Sequence, residues 1–200
     1  MIEQLKFFIS DYRRAAGKNK MRMIFIWMSW GIIGIFLYRL ERGLFLLIGS
    51  GYKYFRLLFL PLLNIIQSLS RLDISYTTDI GPGMVVLHPV MGITINGSSK
   101  IGCNLTLTGG NILGIRHLSS QMHAVIKDGN RKQKSDLQSI DNKPRCLVLG
   151  NNVNVGANAS IIGPLTIGNN VIIAAMACVV KDAPADCHLM GVPAKIKNYK

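Results

Sequence analysis

The sequence is poor in charged residues and especially poor in acidic ones. Only 16% of its 200 residues are charged, and 10 Asp and Glu stand against 23 Lys and Arg. An average soluble domain has about 25% charged residues. Because 49% of the residues are hydrophobic, the composition excludes intrinsic disorder over most of the chain. The net charge of +13 indicates an anionic partner, such as a nucleic acid, a membrane surface or a phosphorylated cofactor.

Cysteine is scarce, and its spacing carries no motif. The four cysteines are Cys103, Cys146, Cys178 and Cys187, and no two of them form a C-x-x-C pair. This spacing indicates neither a zinc site nor a disulfide framework. We therefore expect no metal and a reducing, cytoplasmic location.

Long hydrophobic runs are also missing. The longest uncharged run, residues 23–38, has sixteen residues, fewer than the roughly 20 that a membrane-spanning helix needs. Residues 1–72 nevertheless carry eleven basic and three acidic residues, with Trp and Tyr near the edges of their apolar blocks. This pattern is typical of interfacial amphipathic helices. We predict a helical leader over residues 1–72, peripheral on an anionic membrane surface at the inner face of the cell membrane.

The leader has two other interpretations, of which one stays open and the other is rejected. A buried helical subdomain, or an oligomer interface with solvated basic residues, has the same composition. Nucleic-acid binding is the obvious interpretation of the positive charge. No recognisable recognition module accompanies that charge, however, so we expect no nucleic acid partner.

A six-residue period dominates the remainder of the chain. From residue 149 onward the first position of each hexad is aliphatic and the fifth is apolar. The first positions are Leu149, Val155, Ile161, Ile167, Ile173 and Val179, and an earlier block has Ile74, Ile80, Val86, Ile95, Ile101, Leu107 and Leu113. A fixed period of six is the signature of a hexapeptide β-helix. We predict such a domain over residues 73–200, with coils of about eighteen residues and a tail at residues 184–200.

Two irregularities interrupt this lattice. Nine residues instead of six separate Val86 from Ile95, and His88 lies between them. Residues 115–145 are polar, and we predict that they leave the β-helix as a long loop. Functional residues concentrate on such departures from a rigid scaffold.

Four stretches resemble the hexapeptide acyltransferases, specifically the serine acetyltransferase-like group that includes O-acetyltransferases of surface-polysaccharide synthesis. They are DISYTTDIGPG at residues 73–83, LHPVMGITING at 87–97, KIGCNLTL at 100–107 and GVPAK at 191–195. The resemblance implies an all-β left-handed parallel β-helix with an N-terminal α-helical segment. It also implies a homotrimer with active sites between subunits, and acetyl-CoA as the acyl donor.

The resemblance assigns roles to individual residues. His88 falls on the catalytic histidine, a general base toward the acceptor hydroxyl, and Asp73 on the carboxylate that orients it. The coenzyme positions are Ala157, Ala175, Val180, Lys181 and Lys195, and we expect Arg145 and His117 to contact the acceptor. Without the resemblance, a lone loop histidine is more often a surface residue, and Asp73 is interpreted as a residue that caps the chain where it enters the first coil.

This sequence differs from the family members that act on amino acids, and the differences narrow the range of expected acceptors. Those members carry an acidic residue before the histidine and a second histidine after an arginine, where this chain has Leu87 and Cys146. We therefore predict acetyl transfer to a hydroxyl of a sugar or surface-polysaccharide precursor. The alternatives are a serine O-acetyltransferase of cysteine biosynthesis and a non-catalytic trimeric scaffold. A β-helical carbonic anhydrase is disfavoured, because the regular rungs offer no histidine besides the His88 break.

Overall fold

The structure, a computed structural model, describes residues 1–18, 20–116 and 146–197. Its N-terminal part is helical. The helices are α1 (Ile2–Ala16), α2 (Lys20–Phe25), α3 (Trp30–Ile48) and α4 (Tyr52–Ser70), and short 3-10 turns at Ile26–Met28 and Gly49–Gly51 lie between them. No helix in the described ranges is long and apolar enough to cross a membrane.

A parallel β-helix follows directly after α4. Its strands are β1 (Leu72–Ile74), β2 (Asp79–Ile80), β3 (Val85–Val86), β4 (Ile93–Ile95), β5 (Ser99–Ile101), β6 (Thr106–Leu107), β7 (Asn111–Ile115), β8 (Leu147–Leu149), β9 (Asn154–Val155), β10 (Ser160–Gly163), β11 (Leu165–Ile167), β12 (Ile172–Ile173), β13 (Cys178–Val179), β14 (His188–Met190) and β15 (Lys195–Lys197). Successive strands pass to successive sheets, so three strands complete one coil.

Three sheets form the sides of the β-helix. The first sheet has the order β1-β4-β7-β10-β13, the second β11-β8-β5-β2 and the third β15-β14-β12-β9-β6-β3. All strand pairs are parallel except β14 with β15, where the chain folds back on the last coil. The predicted tail therefore contains two strands of the third sheet.

The hexad positions predicted to point inward do so. Leu149, Ile161 and Ile173 are at most 2% exposed, and the fifth-position residues Val153 and Val171 are fully buried. Ile74, Ile95 and Leu113 of the earlier block are also buried, whereas Val86 is half-buried. The period of six is therefore confirmed as the repeat that fills the narrow core.

One corner of the coil is built by an asparagine ladder. Asn104, Asn152 and Asn170 have left-handed backbones, with φ of 61°, 58° and 56°. The Nδ2 of Asn104 donates to Oδ1 of Asn152 at 3.0 Å, and Asn152 donates in the same way to Asn170 at 2.8 Å. Asparagine tolerates this conformation better than other non-glycine residues, so it can turn each coil and tie it to the next.

A buried ion pair joins the helices to the first coil. The Nε of Arg39 in α3 lies 2.9 Å from Oδ2 of Asp11 in α1, and both side chains are fully buried. Oδ1 of Asp11 accepts the amides of Gly83 and Met84, each at 2.7 Å. Arg39 donates to the carbonyl oxygens of Ile80 at 2.5 Å and Gly81 at 2.7 Å. The pair therefore satisfies four backbone groups of the first coil.

Burial also acts on the ionisation of groups at this junction. Desolvation raises the pKa of Asp11, while Arg39 and the two amides oppose that rise by favouring the carboxylate. The hydroxyl of Tyr38 donates to the carbonyl oxygen of Thr78 at 2.9 Å. Burial raises the pKa of Tyr38 to about 12, so it remains a protonated donor at neutral pH.

The membrane prediction covers the leader at residues 1–72, but most side chains of α3 between residues 31 and 39 are not available to a membrane. Ile32, Ile35, Leu37 and Tyr38 are buried, because α3 packs between α1 and the first coil. Several leader arginines bind the protein itself: Arg39 as described, Arg14 to the carbonyl oxygens of Gly83 and Leu105, Arg42 to Asp79 and Arg56 to Glu41. For α3 the structure matches the alternative interpretation, a buried helical subdomain.

We predict that Asp11→Asn lowers the free energy of unfolding by about 3–5 kcal/mol, because it leaves Arg39 buried without its counter-charge. Denaturant unfolding followed by circular dichroism measures the change. Asp79→Asn is the matched control, since it removes the exposed partner of Arg42 and is expected to cost less than about 1 kcal/mol. Equal losses for the two variants would contradict a special role for the buried pair.

Candidate active site

One edge of the β-helix contains three of the predicted site residues, His88, Ala157 and Ala175. At this edge, which we call the transfer edge, the chain passes from the third sheet to the first. It contains His88–Gly92, Thr108–Gly110, Ala157–Asn158, Ala175–Met176 and Gly191 on successive coils. Backbone hydrogen bonds join these corners. The amide of His88 donates to the carbonyl oxygen of Thr108, the amide of Asn158 to that of Gly109, and the amide of Met176 to that of Ala157, each at 2.8 Å. His88, Ala157 and Ala175 thus share one edge although they span 88 residues of sequence.

The nine-residue interruption gives His88 its place. β3 ends at Val86, and Pro89–Met91 form a short 3-10 turn before β4, with His88 as the residue that precedes the turn. A side chain at Gly109, whose φ is +144°, would clash with the carbonyl oxygen of His88. Glycine there lets the two coils approach closely and holds the His88 backbone in place.

Asp73 lies beside this turn on the first coil. It is the exposed central residue of β1, and it pairs with Thr94 of β4. Its carboxylate lines an open groove of about 630 Å³, together with Met91, Gly92 and Gly110 of the transfer edge. Asp73 is therefore part of the first coil, and among the described residues its side chain caps nothing, so the chain-entry role does not apply.

Within the described ranges no hydrogen bond joins Asp73 to His88, and both side chains are exposed. The groove nevertheless places the carboxylate beside the turn that begins at His88. Catalytic hydrogen bonds are often long before substrate binds, so separation in the free chain does not conflict with joint action. Met91 and Gly92, which follow His88 in the chain, line the groove, whereas His88 itself does not.

The coenzyme positions fall on two edges. Ala157 and Ala175 lie on the transfer edge, on its third and fourth coils. Gly156 permits these coils to stack closely, because a Cβ on it would lie 2.8 Å from the carbonyl carbon of Ala174. Val180 and Lys181 follow β13, at the next edge of the coil. Lys195 begins β15, and its neighbour Ala194 donates to the carbonyl oxygen of Cys178 at 2.8 Å. Lys181 and Lys195 therefore flank the same last coil, both exposed.

Two predicted acceptor contacts, His117 and Arg145, lie outside the described residues, as does most of the predicted loop at residues 115–145. The structure adds groove residues that the sequence analysis missed. Gln67 and Ser68 of α4 and Arg71 line the groove with Asp73. The signal was present in the sequence, because these polar residues follow the mostly apolar stretch at residues 57–66 of α4.

Comparison with known proteins finds relatives of this chain. Residues 147–181 match the family model described as bacterial transferase hexapeptide (six repeats). The chain is 27% identical over 180 residues to a serine acetyltransferase of Helicobacter pylori, covering 90% of this chain and 87% of that protein. It is 30% identical over 137 residues to a serine acetyltransferase of Synechococcus elongatus, covering 66% of this chain and 47% of that protein, so it spans just under half of that relative's length.

Solved structures of other proteins show the same fold. The serine acetyltransferase of Neisseria gonorrhoeae aligns with a TM-score of 0.73 at 23% identity, over 98% of this chain and 67% of that chain. The soybean serine acetyltransferase apoenzyme aligns with a TM-score of 0.74 at 21% identity, over 98% and 70%. The molecule is a parallel β-helix with a helical N-terminal region, and it shares this fold with these solved neighbours. The match to the transferase hexapeptide model covers residues 147–181 of the chain.

Proposed function

We propose that the chain is an acetyl-CoA-dependent O-acetyltransferase that uses His88 as its general base. The observation that carries the proposal is the transfer edge. His88 precedes the turn from which Met91 and Gly92 line the groove with Asp73, and Ala157 and Ala175 lie further along the same edge. Neighbouring coils are about 4.8 Å apart, so His88 and Ala175 are separated by roughly 14 Å along this edge. An extended thioester arm lying along the edge would bring its reactive end to His88.

The proposed chemistry needs no covalent intermediate on the protein. The neutral imidazole of His88 accepts the proton of the acceptor hydroxyl while the oxygen attacks the thioester carbonyl carbon. A C–O bond forms, the C–S bond breaks, and the imidazolium returns the proton to the departing thiolate. Asp73, acting as a positioning residue, orients the imidazole and stabilises its positive charge.

The transfer edge suits acetyl-CoA. Small residues at Ala157 and Ala175 leave room for the pantetheine arm and expose backbone polar groups to it. Lys181 and Lys195, exposed on the last coil, supply positive charge for the coenzyme phosphates. One solved neighbour of this chain is a serine acetyltransferase in complex with CoA.

The comparisons favour serine as the acceptor, in preference to the sugar hydroxyl that the departures at Leu87 and Cys146 predict. The relatives that match most of this chain are serine acetyltransferases, and a gonococcal neighbour was solved in complex with serine. Serine acetylation is therefore our leading proposal for the acceptor.

A sugar hydroxyl is the second candidate, and one observation favours it. A free amino acid needs an anion for its ammonium group, and Asp73 is the only carboxylate among the described residues that line the groove. If Asp73 holds His88, the described part of the groove has no second carboxylate to bind that ammonium. An acceptor without an ammonium group avoids this demand.

We propose a homotrimer of left-handed β-helices, as the family resemblance implies. The transfer edge carries exposed apolar side chains at Leu87, Val90, Met91 and Ile112, the last on the adjoining strand β7. Such a patch beside a polar groove is typical of a surface that a partner subunit covers. The non-catalytic scaffold would also form a trimer, so acetyl-CoA binding distinguishes it from the enzyme.

We retain peripheral membrane binding of the leader, residues 1–72, as a proposal, and we assign it to α4. Tyr54, Leu57 and Leu58 are 77%, 68% and 76% exposed, and the helix contains no acidic residue. Of the three leader acids, Asp11 and Glu41 are buried. The outer surface of the leader is therefore apolar and basic, as an interfacial helix on anionic lipid requires.

We expect His88→Ala to lower kcat at least about 100-fold, because the acceptor hydroxyl loses its base. Thiol release from acetyl-CoA measures turnover, and calorimetry is expected to show an unchanged coenzyme A affinity. Asp73→Asn is expected to lower kcat by a smaller factor, and the control Asp79→Asn, also exposed on a strand, leaves it unchanged. Full turnover by His88→Ala would remove this histidine from the mechanism.

Acceptor identity has its own test. Thiol release is measured with L-serine, with sugar nucleotides and with lipid-linked glycans, under the same conditions. The leading proposal predicts turnover with L-serine alone among these. Turnover confined to the sugar acceptors would reject serine and establish the second candidate.

Flotation with vesicles of anionic lipid tests the location. The full chain is expected to float, and Leu57→Glu with Leu58→Glu is expected to stay in the bottom fraction because charge replaces the apolar face of α4. Val192→Glu, an equally exposed apolar position at the other end of the β-helix, is the matched control and should float. A full chain that stays at the bottom would refute membrane binding.

A further inference from the structure

The chain turns from α4 into the β-helix at Arg71, in a conformation that arginine rarely adopts. Arg71 ends α4 with φ 54° and ψ 28°, the left-handed region. Glycine, or less often asparagine, normally occupies this position after a helix, because a Cβ there crowds the backbone. Five of the other six non-glycine residues with positive φ in the described ranges are Asn or Asp. An arginine at this turn is therefore an unfavourable choice for stability alone.

Neighbouring elements fix this conformation. The carbonyl oxygen of Arg71 accepts the amide of Ile93 at 2.9 Å, which ties the turn to the second coil. On either side of it, Ser70 and Leu72 pack against α3 so tightly that a Cβ on Gly34 would lie 2.8 Å from Leu72 Cδ1. The backbone at residue 71 therefore cannot relax into an ordinary conformation.

Arg71 lies at the groove that contains Asp73. Both residues line it, and Gln67 and Ser68 from the last turns of α4 line it as well. Within the described residues the guanidinium of Arg71 makes no ion pair, even with Asp73 two positions away. It is also the only cationic side chain among the described residues of the groove. Strained residues that persist at a cleft are often retained for binding.

We propose that Arg71 holds an anionic group of the acceptor, a carboxylate or a phosphate, at the mouth of the groove, with Gln67 and Ser68 supplying further hydrogen bonds. The inference deepens the proposed function and rests on it for the identity of the reacting hydroxyl. Asp73 and Met91, which ends the turn after His88, line the same groove as Arg71. Guanidinium is suited to both anions because its planar donors match two oxygens at once.

The test measures a preference for the anion by equilibrium binding, so it does not depend on turnover. Calorimetry with the full chain, saturated with coenzyme A, compares L-serine with L-serinamide and glucose 1-phosphate with glucose. We expect the anionic member of at least one pair to bind about 10–100-fold more tightly, as a charge-assisted hydrogen bond allows. The pair that shows the preference identifies carboxylate or phosphate as the bound group.

Variants then assign the preference to Arg71. Arg71→Gln is expected to abolish it while neutral analogues bind as before, and Lys53→Gln, an exposed cation at the other end of α4, should retain it. No preference in either pair, or a preference that survives in Arg71→Gln, would overturn the proposal. Absent thiol release in a chain that shows the preference would instead reject the proposed acetyl transfer and leave the anion site in place.

The melting temperature of an Arg71 variant gives an independent test of the role of this residue. Arg71→Gly relieves the left-handed strain and is expected to raise Tm by about 2–4 °C while it removes the anion preference. A residue kept only to build the turn would give the opposite result. A lower Tm with the preference intact would therefore show a purely structural role and contradict the proposal.

Discussion

The ion pair between Asp11 and Arg39 is the interaction on which the candidate site depends. The first coil of a β-helix has no coil before it, so its backbone would be left unpaired at a sheet edge. Asp11 and Arg39 bind two amides and two carbonyl oxygens of that coil, between Ile80 and Met84. Because this coil carries β1 with Asp73 and leads into the turn at His88, the helical cap also orders the groove.

Burying two charges is costly, and this pair is placed where its hydrogen bonds offset that cost. An apolar pair of similar size could fill the same space, but it could not satisfy the backbone of the first coil. The pair therefore fixes how the helices dock as well as whether they dock. A helical region held in one orientation can contribute the end of α4 to the groove, and Gln67, Ser68 and Arg71 lie there.

The sequence predicts the β-helix well because its period follows directly from packing. One aliphatic residue in six must fill the narrow interior, and Leu149 through Val179 do so without exception. The interruption at His88 is equally visible, since it breaks that count. The leader was harder to interpret, because Arg39 and Asp11 are 28 positions apart and nothing local shows that they meet. The same composition describes a helix on lipid and a helix packed on a β-helix, and α3 is the second kind.

The candidate site was predictable only in part for a related reason. Ala157 and Ala175 share an edge because they are eighteen residues, one coil length, apart, so their alignment follows from the period. His88 lies at the same edge although the nine-residue interruption and the loop at residues 115–145 separate it from them. Arg71 follows from no period: it becomes a groove residue only because α4 ends against the first coil. The positive charge of the leader is thus divided among internal arginines, an exposed apolar and basic surface on the helices, and Arg71, which lines the groove.

The central claim is direct acetyl transfer from acetyl-CoA to an acceptor hydroxyl, without an acetylated protein. Mass spectrometry of the intact protein and of the acceptors, after incubation with isotope-labelled acetyl-CoA, tests it in one measurement. The account predicts label as an ester on a hydroxyl acceptor and none on the protein. Label held covalently by the protein as an intermediate, or no labelled ester with any hydroxyl acceptor, would contradict it.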